Sequence, residues 1–330
     1  MKVWNRSCVD LGSEHCPCWL AVTGDCLICS RLQERGASGG NSERMFLSGE
    51  DCDCEWSGSC PYTLLAQNGG RIAERRREIS ARLIGRKDYD EDISVLILEV
   101  GCGFAQKASI PGSFVFLRPR ESDTEGKERL YEMPVSVMKV DETAGTIHLA
   151  IRKEGPKSKI LLNRILPMDD IVVRGPYYSG LLGAERLRPA KVKGKRVAFL
   201  TKGIGAAPAI LAMDRLIAMD EKTGESDQNT GLKIRWLADD TNIDRQLLED
   251  YSEGVKPEYG GLDDQSYDIV VISGSPYFVE TMRREVRKRL PEAALVVSND
   301  ATMCCGEGIC GACTEVTKEG RVIRRCKCSR

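Results

Sequence analysis

Near the C-terminal end of the chain, cysteines stand at Cys305-x4-Cys310-x2-Cys313, and Cys326 follows after twelve further residues. A C-x4-C-x2-C…C run is the spacing with which a plant-type [2Fe–2S] centre is held, because two irons and their sulfides need four thiolates converging from a tight loop and one more distant residue. Gly306, Gly308 and Gly311 lie inside the loop. They let the backbone wrap closely and turn its N–H groups toward sulfur. A zinc site is the alternative, although zinc loops more often use two C-x2-C pairs. Cys304 and Cys328 are additional thiols, and Cys328 competes with Cys326 as the fourth ligand.

A second set lies at the other end: Cys8, Cys16, Cys18, Cys26, Cys29, Cys52, Cys54 and Cys60. Eight thiols suit two four-thiolate sites, filled by two zincs, by one zinc and one cluster, or by two [4Fe–4S] clusters. The segment has few apolar residues, so metal binding is expected to supply much of its folding free energy. His15 beside Cys16 is an alternative ligand or a spectator. Cys102 stands alone between the sets and reads as a small buried hydrophobe.

The rest of the composition frames these thiols. The chain has 330 residues, 42% hydrophobic and 29% charged, with a formal net charge of −1. That length suits two or three domains. The charge balance gives no reason to expect nucleic acid or an anionic membrane. No run of 18 apolar residues is present, so no membrane span is expected. The opening MKVWNRSCVDLGSEHCPCWL lacks the apolar core of a secretory signal. A cytoplasmic, reducing location follows as the expectation, and clustered thiols there bind metal or carry electrons rather than form disulfides.

Five segments would position the chemistry. Residues 1–69 form the cysteine-rich segment, with a loop at 35–44. RIAERRREISARLIGR at 71–86 has helical periodicity through Ile72, Ile79, Leu83 and Ile84, which predicts a linker helix within 70–90. Short strands at 93–100, 112–119, 134–141, 145–153 and 169–176 predict a small antiparallel barrel over 91–185. Strands at 195–201, 231–240, 267–274 and 293–300 alternate with helices and predict a parallel α/β domain over 186–300, with an exposed loop at 220–231. Residues 301–330 carry the thiol loop.

In this order of pieces the chain resembles the electron-transfer subunit of dihydroorotate dehydrogenase, within the ferredoxin–NADP reductase superfamily, over residues 91–330. The matching stretches are PGSFVFLR (111–118), MPVSV (133–137), RKEGPKSKIL (152–161), RGPYYSG (174–180), KGIGAAPAI (202–210) and SGSPYFVETM (273–282). The resemblance implies an FAD-binding barrel, a Rossmann-like NAD(P) domain and a terminal [2Fe–2S] loop, the cysteine-rich N-terminal segment being extra. It implies flavin contacts at Met133, Pro134, Val135 and Ser136, pyrophosphate contacts at Gly155, Lys157 and Ser158, and a strand end at Gly175 and Pro176. It places nucleotide contacts at Gly203, Gly205, Pro208, Gly274 and Pro276. Two positions depart from the pattern: Met133 stands where the family has arginine, and Lys202 replaces the first glycine of the nucleotide loop.

Read from the residues, Gly203 and Gly205 lie between an apolar strand and a helix, a turn that exposes amides to a pyrophosphate. Asp239 and Asp240 end the next strand, where a carboxylate accepts from a ribose hydroxyl and repels a 2′-phosphate, favouring NAD(H) over NADP(H). His148 sits mid-strand as a structural residue. No catalytic side-chain constellation stands out, so a cofactor is expected to carry the chemistry. The function expected is electron transfer between NAD(P)H, FAD and iron–sulfur clusters, to or from another oxidoreductase subunit or ferredoxin in a hetero-oligomer. The contrasting expectations are a flavin-less, cluster-bearing adaptor and a zinc-binding interaction module.

Overall fold

A computed structural model describes residues 8–33, 59–120, 132–223, 231–241, 243–263, 265–317, 320 and 322–329. Cys52, Cys54, the loop expected at 35–44 and residues 224–230 of the loop expected at 220–231 lie outside the described residues. The chain divides into two compact units. One joins the described residues before 77 to those after 300, and the other spans Arg77–Asp300. The two thiol-bearing ends, set apart as separate segments in the sequence reading, therefore belong to one unit.

The larger unit contains a barrel of strands β1 (Glu78–Tyr89), β2 (Ile93–Glu99), β3 (Phe114–Pro119), β4 (Met133–Asp141), β5 (Thr146–Arg152) and β6 (Asp170–Tyr177). It closes in the order β1-β2-β5-β4-β3-β6 with antiparallel pairing throughout. Leu83, Leu96, Val115, Val137, Leu149 and Val173, one from each strand, are fully buried in its core. Such burial contributes about 1.5–3 kcal/mol per side chain.

Strand β1 corrects the expectation of a linker helix over 71–86. Ala81 and Leu83 alternate with the exposed Glu78, Arg82 and Ile84. That period of two matches a half-buried strand, and pairing with both β2 and β6 outweighs the helical propensity of the arginines.

The same unit holds a six-stranded sheet. Its strands are β7 (Leu181–Leu182), β8 (Arg196–Lys202), β9 (Lys233–Asp239), β10 (Pro257–Tyr259), β11 (Ile269–Ser273) and β12 (Ala294–Ser298), in the order β10-β9-β8-β11-β12-β7. Only the β7–β12 pair is antiparallel. Helices follow the strands; the one after β8 runs Ala206–Thr223 and the one after β11 runs Pro276–Arg289. Phe199, Ile210, Leu216, Trp236, Val271 and Val296 pack between layers. Trp236 donates its indole N–H to Thr201 Oγ1 at 2.8 Å, satisfying both buried groups.

The smaller unit is built on little apolar material, as its composition requires. Two short helices, Trp19–Thr23 and Pro61–Gln67, pack with a core of Ala21, Ile28, Leu32, Leu65, Cys26 and Cys29. Two of those six residues are thiols, so anything bound to them is part of the core. No helix of the described residues is long and apolar enough to cross a membrane.

Candidate functional site

The sheet order reverses between β8 and β11: β9 and β10 lie on one side of β8, β11 and β12 on the other. The crevice beyond the carboxyl ends of those two strands is where open α/β sheets take ligands. Gly203–Gly205 forms a single 3-10 turn there and opens the helix from Ala206, with Gly203 at φ +56°. Gly205 touches the neighbouring loop so closely that an added Cβ would lie 2.5 Å from the Cα and N of Gly274. Gly203 is thus required by its backbone conformation and Gly205 by its packing, whatever the turn binds. Ser273, at the end of β11, is fully buried, and its hydroxyl has no hydrogen-bond partner. Ser275 caps the helix from Pro276, accepting from the Phe278 amide at 3.3 Å.

Asp239 does not stand open to a ribose. Lys202 is its register partner on β8 and donates to Asp239 Oδ2 at 2.7 Å, while Thr241 N donates to Oδ1 at 2.9 Å. Burial pushes the Asp239 carboxyl up, but these hydrogen bonds outweigh it and hold the group below the usual range. Its charge is matched by Lys202, so the discrimination against a 2′-phosphate expected from a bare carboxylate does not follow. Asp240 is engaged by Arg245 at 2.5 Å.

At the barrel, Met133 and Val135 point into the core, each less than a tenth exposed, while Pro134 is exposed and Ser136 half-buried. Met133 therefore replaces the absent arginine with a packing side chain. Arginine is supplied nearby by β6: Arg174 is held by Glu132 at 2.9 and 2.7 Å, donates to Tyr177 Oη, and stacks 4.5 Å from the Phe116 ring centroid. The expected pyrophosphate loop forms the N-terminus of the helix Pro156–Arg164, whose capping residue Gly155 contributes no side-chain bond. Ser158 Oγ is used internally, donating to Gly155 O and accepting from Glu154 N, whereas Lys157 Nζ reaches Glu132 O at 2.8 Å. Ser113 Oγ, in the turn before β3, is buried without a partner. An uncapped nine-residue helix N-terminus with Lys157 in its first turn fits a pyrophosphate. Gly175 and Pro176 lie in β6, and Pro208 sits in the first turn of the helix from Ala206.

In the thiol loop, Gly306, Gly308 and Gly311 take φ of +71°, +77° and +78°, a left-handed conformation natural to glycine. Glu307 N donates to Cys305 Sγ at 3.3 Å, and Cys313 Sγ donates to Cys326 Sγ at 3.1 Å. Burial first, then the neighbouring Cys313 and Cys305, push the Cys326 thiol far up, and burial pushes Cys328 to about 11. Cys304 and Cys310 are exposed. Donor type and backbone form fit a thiolate-held centre. Among the described residues, no three His, Cys, Asp or Glu side chains are gathered as a metal would hold them.

The N-terminal thiols Cys16, Cys18, Cys26 and Cys60 influence one another electrostatically. Burial raises Cys16 to about 11 and also raises Cys8 and Cys26. At Cys60 burial is outweighed by hydrogen bonds from Thr63 and Tyr62, which lower it. Cys29 is buried. His15 Nδ1 pairs with Glu74 O at 3.1 Å. Cys102 is exposed, correcting the expectation of a buried hydrophobe; it opens the helix Cys102–Ala108 and donates to Thr143 O at 3.4 Å. His148 bonds Tyr251 Oη at 2.9 Å, and burial lowers its pKa, in keeping with a structural role.

No protein-family model matches the chain. No curated protein matches it either. Solved structures do match. A chain of the NADH-dependent reduced ferredoxin–NADP oxidoreductase, a structure studied for flavin-based electron bifurcation, is 15% identical with a TM-score of 0.50, covering 75% of this chain and 86% of that one. Full-length CYP116B46 from Tepidiphilus thermophilus is 17% identical with a TM-score of 0.50, covering 79% of this chain and 42% of its own. At these identities the likeness is one of fold, the barrel-plus-sheet arrangement of ferredoxin–NADP reductases.

Proposed function

We propose that the chain is the electron-transfer subunit of an oxidoreductase, resembling that of dihydroorotate dehydrogenase, and that it exchanges electrons between NAD(P)H and a protein partner. The observation that carries this reading is the glycine turn at the sheet's switch point, following a barrel with an uncapped helix N-terminus, in a chain that also bears a left-handed glycine loop of thiols. The amides of the helix from Ala206 would take the pyrophosphate of the nicotinamide nucleotide. Those of the helix from Pro156, with Lys157, would take that of FAD. Cys305, Cys310, Cys313 and Cys326 would hold a [2Fe–2S] centre, and the N-terminal thiols clusters or zinc. When bound, these groups supply hydride acceptance and one-electron release, chemistry that side chains do not offer.

The residues' own contributions are binding and proton accounting. Burial raises the Cys326 thiol, so binding of a metal there would have to expel its proton, and uptake would strengthen as pH rises. Arg174 and Glu132 form a largely buried, charge-matched pair at 2.7 Å that fixes the guanidinium plane over Phe116. The partner would be another oxidoreductase subunit or a ferredoxin.

A second reading is favoured by the two departures. Met133 gives no donor, and Lys202 covers Asp239, as expected of an adaptor that has lost its cofactor contacts. Absorbance of anaerobically purified protein, titrated with NADH and NADPH, separates the readings. Flavin bands bleached by nucleotide support the first. Sulfur-to-iron charge-transfer bands without flavin support the adaptor. A colourless protein supports a zinc module and ends both.

A further inference from the structure

Inside the smaller unit, four charged side chains from distant parts of the sequence meet. Asp10 accepts from Arg76 at 2.5 and 3.4 Å and from Lys327 Nζ at 2.6 Å. Glu307 accepts from Lys327 at 3.0 Å and from Arg76 at 3.5 Å. Their side chains are hidden: Lys327 is 0% exposed, Arg76 1%, Asp10 2% and Glu307 16%. Two cations and two anions leave the group neutral, the condition under which charges persist in an interior.

Three of the four are placed by thiols. Asp10 lies two residues after Cys8. Glu307 lies between Cys305 and Cys310. Lys327 lies between Cys326 and Cys328. The backbone follows the same route: Val9 N donates to Lys327 O at 3.0 Å, and Cys8 forms an antiparallel bridge with Cys328. Gly308 sits against Leu20, where an added Cβ would come within 3.1 Å of its side chain.

We propose that this tetrad couples the two thiol regions, so that metal held by the C-terminal loop raises the affinity of the N-terminal thiols for metal, and the reverse. The inference rests on the reading that both regions bind metal. A loop closed on a metal fixes Glu307 and Lys327 where Asp10 and Arg76 need them. A loop that opens withdraws one anion and one cation from a buried site, and the Cys8–Asp10 stretch loses its anchor. Such coupling is reciprocal by linkage.

The test uses the full chain, zinc as the probe metal under anaerobic conditions, and mapping by mass spectrometry of which cysteines escape alkylation. In the unaltered chain, zinc is expected to protect both Cys16, Cys18 and Cys26 and the tail thiols. Cys310→Ser, which damages only the C-terminal site directly, is expected to raise the zinc concentration needed to protect the N-terminal thiols by at least about fivefold. Asp10→Asn with Lys327→Met removes one anion and one cation together and keeps the group neutral. In that background Cys310→Ser is expected to leave N-terminal protection unaltered. Glu307→Gln, which keeps an acceptor oxygen for Lys327, is expected to give intermediate coupling. N-terminal protection indifferent to Cys310→Ser, coupling that survives the double change, or full coupling in Glu307→Gln overturns the proposal. Tail thiols that zinc never protects sink the metal reading as well, an outcome distinct from protection at both ends without coupling.

Discussion

Gly205→Ala is the most direct probe of how the switch-point crevice is built. An alanine Cβ would lie 2.5 Å from Gly274 Cα and N and 2.7 Å from Ser273 C, all backbone, where ordinary contact begins at 3.4 Å. The two loops must part by roughly 1 Å, and overpacking of that kind costs about 1–3 kcal/mol. For a unit of this size each 1 kcal/mol lowers Tm by about 2–4 °C, so calorimetry is expected to show a fall of about 2–12 °C. The same parting moves the amides at the start of the helix from Ala206, and NAD(P)H binding is expected to weaken by about tenfold, equivalent to about 1.4 kcal/mol. Gly155→Ala is the control. It has nothing within 4 Å and a φ of −95°, and its Tm is expected to stay within the effect of about 0.5 kcal/mol. If Gly205→Ala melts and binds as the unaltered chain does, the two glycine loops do not meet as described.

Other perturbations test other parts. Met133→Ala is expected to lower the stability of the Arg77–Asp300 unit by about 2–4 kcal/mol in denaturant unfolding, as for a core truncation, while leaving flavin content unchanged; lost flavin with stability intact contradicts its placement in the core. Lys202→Ala removes a pair only two-thirds buried, so stability should change by less than about 1 kcal/mol. The freed Asp239 carboxylate should move the Kd ratio toward NADH by about fivefold, equivalent to about 1 kcal/mol; an unchanged ratio shows that Asp239 does not face the ribose. Asp214 is raised to about 6 by burial, which outweighs the opposing Lys139, with Glu253 adding a smaller push upward. Its ionised form is thus disfavoured on folding, a penalty absent well below pH 4 and complete above about pH 6. Asp214→Asn should stabilise the chain at pH 8 by at most about 3 kcal/mol and by much less at pH 4.5; equal effects at both pH values refute the shift.

Much of the fold was legible because its signals are local. Ile93–Glu99, Thr146–Arg152 and Ile269–Ser273 are short runs of β-branched and aliphatic residues bounded by turns, and they form strands as the pattern demands. Residues 78–89 misled because Ile72, Ile79 and Leu83 fit a helical stripe while Ile79, Ala81 and Leu83 fit a strand equally well, and arginine-rich composition favoured the helix. Barrel closure decided between them, a long-range fact. Strand order likewise hid the Lys202–Asp239 pair, since the two positions are neighbours only when β8 pairs with β9. The Asp10–Arg76–Glu307–Lys327 tetrad leaves no periodic trace at all; the nearest hint was that three of its members sit inside cysteine motifs. The thiol spacing and its three glycines were legible, and the left-handed loop agrees with them. Of the four thiols, Cys313 and Cys326 are buried and in contact at 3.1 Å, whereas Cys310 is exposed, a difference that spacing alone does not foretell.

Iron and acid-labile sulfide in oxygen-free protein, read together with EPR after reduction for the unaltered chain and for Cys310→Ser, test the [2Fe–2S] assignment most directly. The expected result is a reduced [2Fe–2S] signal that disappears in Cys310→Ser while any flavin remains reducible by NAD(P)H. Zinc or no metal at Cys305, Cys310, Cys313 and Cys326, or a signal unchanged in Cys310→Ser, contradicts it.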